Sequence, residues 1–286
     1  MTKGSQSQEM FCGDGVLNLD IPQIMGILNL TEDSFYDGGQ FNKGESFLHR
    51  AAKMIEQGVN IIDVGAASTR PGAPLISEKD EWDILQYPLL ELKKNFPHIL
   101  LSVDTYNAAQ VKKCADLGAN IINDISGGSW GEEMFQEVAQ QNMAYVMMHI
   151  QGKPENMQDN PTYDSVVEEV VGYFQMRIMK LHHLGFNKII LDPGFGFGKK
   201  MGHNYRLLAK LDILERLGFP VLVGLSRKSM IFRALNTSPE DALNGTTVLH
   251  TLALQNGAKI LRVHDVKEAF ETIQLFSLYK ETLEDK

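Results

Sequence analysis

Polar and charged side chains follow short apolar runs at eight places along this 286-residue sequence. In chain order these positions are Asn29; Asp63, with Ser68, Thr69 and Arg70 just beyond it; Asp104; Asn123; His149 with Gln151; Asp192; Ser226 with Arg227 and Lys228; and Arg262 with His264. Carboxylate and amide oxygens accept hydrogen bonds from N–H groups, whereas Arg and Lys bind anions. A site that contains both kinds of side chain would suit a ligand with a donor-rich ring and an anionic tail.

The alternation of residue types within the runs indicates where these side chains point. In the run ILLSVDT, Ser102 and Asp104 share one face of the predicted strand, and purely apolar residues share the other. We expect the purely apolar face to pack against helices, so Asp104 faces the interior of the sheet. The same alternation predicts an inward position for Asn123, Asp192, Arg262 and His264. Because active sites of parallel α/β proteins lie at the carboxyl ends of the strands, these groups are expected to share one mouth.

A unit of one predicted strand and one predicted helix recurs eight times along the chain. Runs rich in Ile, Val and Leu begin at residues 24, 61, 99, 120, 143, 188, 220 and 259, and segments of helical periodicity separate them. Units of about 33 residues predict a (β/α)₈ TIM barrel. We interpret residues 1–286 as one domain, in which residues 10–20 form an N-terminal β-hairpin at the bottom of the barrel and residues 1–9 are disordered. A doubly wound open sheet has the same local pattern and remains the alternative.

The composition excludes several classes of protein. Hydrophobic residues make up 43% of the chain and charged residues 22%, which is typical of a globular domain. A net charge of −9 argues against a nucleic-acid-binding surface. Cys12 and Cys114 lie far apart and form no metal-binding or disulfide pattern. Without a signal-peptide pattern or an apolar run of the roughly 20 residues that span a bilayer, the chain is expected to be soluble and cytoplasmic, with no membrane partner.

Several of the candidate residues also have structural interpretations. Asp104 precedes a predicted helix that it could cap, and Asn123 and Asp192 stand where turn residues are common. Arg262 could form a salt bridge with Asp63 or Asp104 inside the protein. A cation at the start of a helix is disfavoured by the helix dipole, so Arg227 and Lys228 at such a position favour a bound anion.

Two kinds of loop complete the pattern. The Gly-rich stretch DPGFGFGKK lacks the GxGxxG spacing of dinucleotide-binding loops, and VGLSRKS lacks the first glycine of a Walker loop, so neither NAD nor ATP is indicated. The loops TEDSFYDGGQF and STRPGAPLISE follow the first two predicted strands and carry Gly or Pro-Gly pairs. They are expected to be mobile covers over the barrel mouth.

The motifs IMGILNLTEDSFYDGG, DVGAASTRPGA, SVDTYN, NDISGG, MHIQGKPENMQ, LDPGFGFGK, VGLSRKS and LRVHDV occur in this order between residues 24 and 266. Taken together they closely resemble the dihydropteroate synthase family of folate biosynthesis. The resemblance implies a TIM barrel and a homodimer. It also implies a transferase reaction that joins 6-hydroxymethyl-7,8-dihydropterin diphosphate to 4-aminobenzoate, giving 7,8-dihydropteroate and diphosphate.

The resemblance assigns a role to each matching residue. Asn29 corresponds to a contact of the Mg²⁺ cofactor, and Asp37 lies in the expected lid. The pterin ring is assigned to Asp104, Asn123, Asp192 and Lys228. The diphosphate is assigned to Thr69, Arg70, Arg262 and His264, and the aminobenzoate to Phe197, Lys228 and Ser229. Within this set, the catalytic residues are Asp104, Lys228, Arg262 and His264.

Two departures and two competing functions accompany the resemblance. Ala67 and Glu32 stand where the family often has Glu and Pro, which bears on loop dynamics more than on the chemistry. A pterin-binding methyltransferase would share the acceptor residues but would have no use for the cations of SRK and RxH. A catalytically silent pterin-binding scaffold would be expected to lose the leaving-group residues, which this sequence retains.

Overall fold

The computed structural model describes residues 8–30, 46–66 and 75–284. Its strands are β1 (Glu9–Cys12), β2 (Gly15–Asn18), β3 (Gln23–Asn29), β4 (Ile61–Gly65), β5 (Leu100–Asp104), β6 (Ile121–Asp124), β7 (Ala144–Met148), β8 (Ile189–Asp192), β9 (Val221–Val223) and β10 (Ala258–Val263). Its helices are α1 (Phe47–Glu56), α2 (Glu78–Asn95), α3 (Ala108–Asp116), α4 (Glu133–Gln140), α5 (Val166–His183), α6 (Met201–Ala209), α7 (Asp212–Glu215), α8 (Ser229–Phe232), α9 (Leu243–Gln255) and α10 (Val266–Glu284). Every predicted strand is present within a few residues of its expected start.

Strands β3 to β10 close into a parallel barrel, because β10 pairs with both β9 and β3. The (β/α)₈ prediction is confirmed, and the open-sheet alternative is wrong. The strands of the barrel extend from Gln23 to Val263; the interpretation of residues 1–286 as a single domain stays a prediction. Among the described residues, no helix is both long and apolar enough to cross a membrane.

Local sequence signals explain where the helices begin and end. The Ser46 and Ser77 hydroxyls accept hydrogen bonds from main-chain N–H groups three residues later, which caps α1 and α2. Several helices are followed by a glycine with positive φ, as at Gly118 after α3 (84°) and Gly257 after α9 (95°). Glycine reaches this conformation without steric cost, so it ends a helix and redirects the chain into the next strand.

The predicted N-terminal hairpin is confirmed: β1 and β2 pair antiparallel and cover the amino-terminal end of the barrel. Leu17 and Cys12 are fully buried against the first inward-facing layer of the barrel strands. The Asn120 side-chain amide donates to the main-chain oxygen of Cys12 at 2.9 Å, which fixes the hairpin to β6. The expected disordered start does not extend to Glu9, which begins β1. Residues 1–7 lie outside the described residues.

Candidate active site

The carboxyl-terminal end of the barrel carries a layer of buried polar residues directly above the apolar layer. The strand register places Asp63 opposite Ser102, and Asp104 opposite Asn123. All four side chains are buried, with exposed fractions of 8% or less. The inward orientation that the alternation predicted for Asp104 and Asn123 is therefore borne out by their position in this layer.

Asp63 is the acceptor at the centre of this layer. Its carboxylate accepts hydrogen bonds from the Ser102 hydroxyl at 2.6 Å and from the Asn123 amide at 3.0 Å. It also accepts from Arg262 Nε at 2.7 Å. A fully buried carboxylate is costly unless it is paired and hydrogen-bonded, and these three donors provide that compensation. One consequence is that the Asn123 amide oxygen points away from Asp63 and is oriented as an acceptor for another group.

Arg262 joins Asp63 to Asp104, because its Nη2 donates to Asp104 at 2.8 Å. The salt bridge that was the structural interpretation of Arg262 is thus present, to both carboxylates at once. These two bonds use Nε and Nη2, and a guanidinium has five N–H donors, so Nη1 can still donate to a ligand. Burial raises the pKa of Asp104, since the loss of hydration outweighs the opposing effect of the Arg262 charge.

Asp192 and Lys228 lie on the opposite side of the mouth. Asp192 is buried, and one of its carboxylate oxygens accepts from the Gly194 main-chain N–H at 2.8 Å, which leaves the other available. Burial raises the pKa of Asp192, and the positive charge of Lys228 acts in the opposite direction. Burial disfavours the charged form of Lys228 as well, and for this cation it lowers the pKa to about 8. The Lys228 ammonium donates to the main-chain oxygen of Phe195 and lies 4.7 Å from the centre of the Phe197 ring.

An apolar wall adjoins these charged groups. Its buried members are Ile125, Met148, Ile150 and Met157, and its half-buried members are Tyr106, Trp130 and Phe197. Tyr106 and Trp130 pack edge to face, with ring centroids 5.1 Å apart. A flat aromatic ligand could therefore bury its faces here while its edges reach the polar layer.

The remaining predicted residues lie at the rim or outside the described residues. Asn29 ends β3 and is half-buried, and Ser229 is half-buried at the start of α8. His264 follows β10 and is exposed, with its main-chain N–H donating to the Ser226 hydroxyl. Asp37, Thr69 and Arg70 fall outside the described residues, as do the departures Glu32 and Ala67.

Arg227 forms an ion pair with an acid that follows β10. Its guanidinium donates to both oxygens of Asp265, at 2.8 and 3.0 Å, and to the main-chain oxygen of Pro239 at 3.0 Å. Arg227 is thus paired within the protein, and the bound anion that the position of Arg227 and Lys228 favoured stays a prediction. Arg227 has a φ of 51°, and its side chain reaches the main-chain oxygens of the segment before α9.

Among the residues that the structure describes, no three His, Cys, Asp or Glu side chains lie close enough together to hold a metal ion. These side chains therefore do not form a complete magnesium site by themselves. Mg²⁺ that serves a phosphate substrate commonly has one or two protein ligands and takes its other oxygens from phosphate and water. The amide oxygen of Asn29, half-buried at the mouth, fits such a minor ligand.

Two residues of the site received no role from the family resemblance. Asp63 stands two residues after the inward Ile61, so its inward position follows from the same alternation, but its three donors are far away in sequence. Lys199 is almost completely buried beneath the loop after β8. No periodicity of the sequence indicates its position, because it lies in an irregular Gly-rich loop.

A parallel barrel with buried ring acceptors, cations and an apolar wall at its carboxyl end has the architecture of an enzyme that binds a polar aromatic ligand. The sequence model of the family described as pterin binding enzyme matches residues 25–264, and the chain belongs to this family. This family agrees with the resemblance stated from the motifs, which the individual relatives confirm.

The individual relatives are dihydropteroate synthases. The enzyme of Escherichia coli K12 is 40% identical over 280 residues, which cover 97% of this chain and 99% of the relative. That of Haemophilus influenzae is 39% identical over 94% of this chain and 98% of its own length.

Solved structures lead to the same family. A Yersinia pestis dihydropteroate synthase in complex with a sulfonamide drug aligns with a TM-score of 0.88 at 40% identity, covering 96% of this chain and all of that one. The Xanthomonas albilineans dihydropteroate synthase with 4-aminobenzoic acid aligns with a TM-score of 0.87 at 35% identity, covering 96% and 99%.

Proposed function

We propose that this chain is a transferase of folate biosynthesis that condenses 6-hydroxymethyl-7,8-dihydropterin diphosphate with 4-aminobenzoate. The products are 7,8-dihydropteroate and diphosphate. The observation that carries the proposal is the pairing, in one mouth, of the buried acceptors Asp104, Asn123 and Asp192 with the cations Lys228 and Arg262. The near full-length identity to dihydropteroate synthases supports the same reaction.

The buried hydrogen-bond acceptors of the mouth bind the pterin ring. The pterin's amino group and ring N–H groups donate to Asp192 and to the Asn123 amide oxygen, and the Lys228 ammonium donates to a ring acceptor. Asp104 lies on the Arg262 side of the mouth and offsets positive charge that develops on the ring. Buried hydrogen bonds to charged partners contribute about 1.5–3 kcal/mol each, so a few of them account for tight ring binding.

The cations assist departure of the leaving group. The bond between the pterin methylene carbon and the diphosphate oxygen breaks, and its electron pair leaves with diphosphate. Arg262 through Nη1, together with His264, Thr69 and Arg70, stabilises the negative charge that accumulates there. When Mg²⁺ is bound, with Asn29 as a minor ligand, it supplies additional charge neutralisation of the diphosphate. The roles of Thr69, Arg70 and the lid residue Asp37 stay predictions from the resemblance.

Attack by the amine needs no strong general base. An aromatic amine is neutral at pH 7, so its nitrogen lone pair can form the new C–N bond directly. The nitrogen then loses a proton to diphosphate or water. Phe197, Ser229 and the stem of Lys228 flank the aminobenzoate on the apolar side of the mouth.

We further propose that the protein is a cytoplasmic homodimer. The outer surface of α9 and α10 exposes a set of large apolar side chains: Val248, Leu252, Leu275, Leu278 and Tyr279. Exposed apolar patches of this kind mark interaction surfaces, and a second copy of the chain would cover them. Sedimentation equilibrium of the protein and of Leu275→Glu tests this: the variant should be monomeric, and a monomeric wild type contradicts the dimer.

Release of diphosphate from the pterin substrate tests the reaction. We expect release that depends on both 4-aminobenzoate and Mg²⁺, with dihydropteroate formed in equal amount. A folate methyl donor with a corrinoid acceptor provides the comparison. Methyl transfer without diphosphate release would identify the methyltransferase alternative, and pterin binding without either reaction would identify a scaffold.

A further inference from the structure

The loop that follows β8, residues 193–200, lies directly against the end of β7. Gly194, Gly196 and Gly198 adopt positive φ angles of 67°, 84° and 60°. A Cβ atom at Gly194 would overlap the main-chain oxygen of His149, and one at Gly198 would overlap the main chain of Gln151. The loop therefore approaches β7 closely enough that only glycine fits at these contacts.

The Lys199 ammonium lies between the loop and β7. It is within hydrogen-bond distance of four acceptors: the main-chain oxygens of Gly194 (3.0 Å), Phe197 (2.9 Å) and His149 (3.2 Å), and His149 Nδ1 (2.9 Å). An ammonium group has three N–H donors, so all of them are engaged. Only 3% of the residue is exposed.

These four acceptors are electrically neutral, which makes the arrangement unusual for a buried lysine. Burial lowers the pKa of Lys199 to about 7, and burial together with the Lys199 charge holds the pKa of His149 well below its ordinary value. An aliphatic side chain of the same length would fill this space but would leave the main-chain oxygens of Gly194, Phe197 and His149 without this donor, so the Lys199 amine holds these groups in place.

The groups that Lys199 holds are connected to the mouth on both sides. The Phe197 ring lies under the Lys228 ammonium, and the Phe197 main-chain oxygen accepts a hydrogen bond from Lys199. The Gly194 N–H orients the Asp192 carboxylate, and the Gly194 oxygen accepts from Lys199. The His149 N–H, in turn, donates to the main-chain oxygen of Asp192 at 2.9 Å.

We propose that Lys199 is a positioning residue for the condensation: its ammonium holds the loop after β8 in the conformation that presents Phe197 to the aminobenzoate and keeps Asp192 directed at the ring. Lys199 itself touches no substrate. The proposal rests on the proposed function. Loss of the ammonium is expected to affect the aminobenzoate side most, because Asp192 is also anchored by β8, whereas Phe197 belongs to the loop alone.

The variant Lys199→Met removes the charge and keeps the length of the side chain. Its matched control is Lys200→Met, the exposed neighbour, whose ammonium bonds to Asn160 outside the mouth. For Lys199→Met we expect the KM for 4-aminobenzoate to rise at least tenfold while kcat changes less than fivefold. Amide hydrogen exchange in peptides covering residues 193–199 should accelerate at least tenfold, while β3 to β5 keep their protection.

Each outcome bears on the proposal. A lower Tm with unchanged KM would show that Lys199 has a structural role only, and the proposal would be overturned. If Lys199→Met is insoluble, Lys199→Gln, which retains N–H donors of shorter reach, is measured by the same two readouts. A wild-type protein without turnover would reject the proposed function. Amide hydrogen exchange of the wild type and Lys199→Met would still show whether Lys199 fixes the conformation of the loop.

Discussion

The two ends of this barrel are built from the same strands, but the inward-facing layers of side chains at the two ends differ in polarity. At the amino-terminal end the inward residues are apolar: Met25, Ile61, Leu100, Ile121, Ile190 and Ile260, covered by the hairpin. Two residues further along, the corresponding positions on five of these strands hold Asp63, Ser102, Asn123, Asp192 and Arg262. A step of about 6.6 Å along a strand thus separates a sealed apolar layer from a polar site.

Stability and binding depend on separate layers of one core. The lower layer stabilises the fold by removing apolar area from water, without directional requirements. The upper layer is a network in which each charged group depends on the others, since an unpaired buried charge is strongly unfavourable. Changes in the lower layer should therefore affect unfolding alone, and changes in the upper layer should affect ligands as well.

Arg262→Ala should have the largest effect, because it removes the cation shared by Asp63 and Asp104. Leaving two buried carboxylates without their partner is expected to lower the free energy of unfolding by about 3–5 kcal/mol. We also expect kcat/KM to fall by at least about 100-fold through loss of leaving-group stabilisation. Urea unfolding and the diphosphate-release assay measure the two effects.

The control for that variant is Arg216→Ala, which breaks the exposed ion pair with Asp212. Exposed pairs of this kind contribute about 0–1 kcal/mol, so little should change. If Arg262→Ala were as mild as Arg216→Ala, the upper layer would not be a dependent network and the contrast between the two ends would fail.

Leu17→Ala tests the lower layer. The side chain is fully buried beneath the barrel, and its truncation should lower the free energy of unfolding by about 2–4 kcal/mol, the usual cost of a cavity in a core. Both KM values should remain within about twofold because the polar layer above is unchanged. Val16→Ala, on the exposed face of the same strand, is the matched control and should cost less than about 0.5 kcal/mol. A shift in either KM with Leu17→Ala would show that the layers are coupled.

Asp192→Asn separates ring binding from loop structure. The amide can still accept from the Gly194 N–H, but it cannot accept two hydrogen bonds from the pterin in place of the carboxylate. Affinity for the pterin product, measured by titration calorimetry, should weaken by about 2–3 kcal/mol. Asp116→Asn, an exposed acid on α3, should leave it unchanged. Equal affinities would mean that Asp192 is a turn residue.

The pH dependence of pterin affinity should show the smallest effect. Burial raises the pKa of Asp104, so this carboxyl becomes a better acceptor as the pH rises from the acid range. Lys228, with a pKa of about 8, loses its charge as the pH rises further. Affinity should therefore rise from acid pH, level off below about pH 8 and fall above it by at most about tenfold per unit. Lys228→Met should bind more weakly and lose the descending limb. A descending limb that persists in this variant would assign it to another group.

Much of the fold followed from the sequence alone. Eight short apolar runs with Gly-terminated helices between them were sufficient to predict the strands, because burial on both faces and helix capping leave local signals. The alternation of residue types correctly placed Asp104 and Asn123 in the interior, since side chains of a strand point to opposite faces at every step. The ordered motifs, from IMGILNL to LRVHDV, were sufficient for the family.

Only the tertiary structure decided which groups meet. Local patterns are the same in open and closed sheets, so closure became visible only when β10 was found paired with β3. Arg262 and Asp63 are 199 residues apart and form an ion pair because that closure makes β10 and β4 near neighbours around the interior, each one strand away from β3. The ion pair between Arg227 and Asp265 was not visible in the sequence, because the two residues lie in different loops. Three of the four acceptors of Lys199 are main-chain oxygens, which every residue carries, so the residue types in the sequence could not have indicated them.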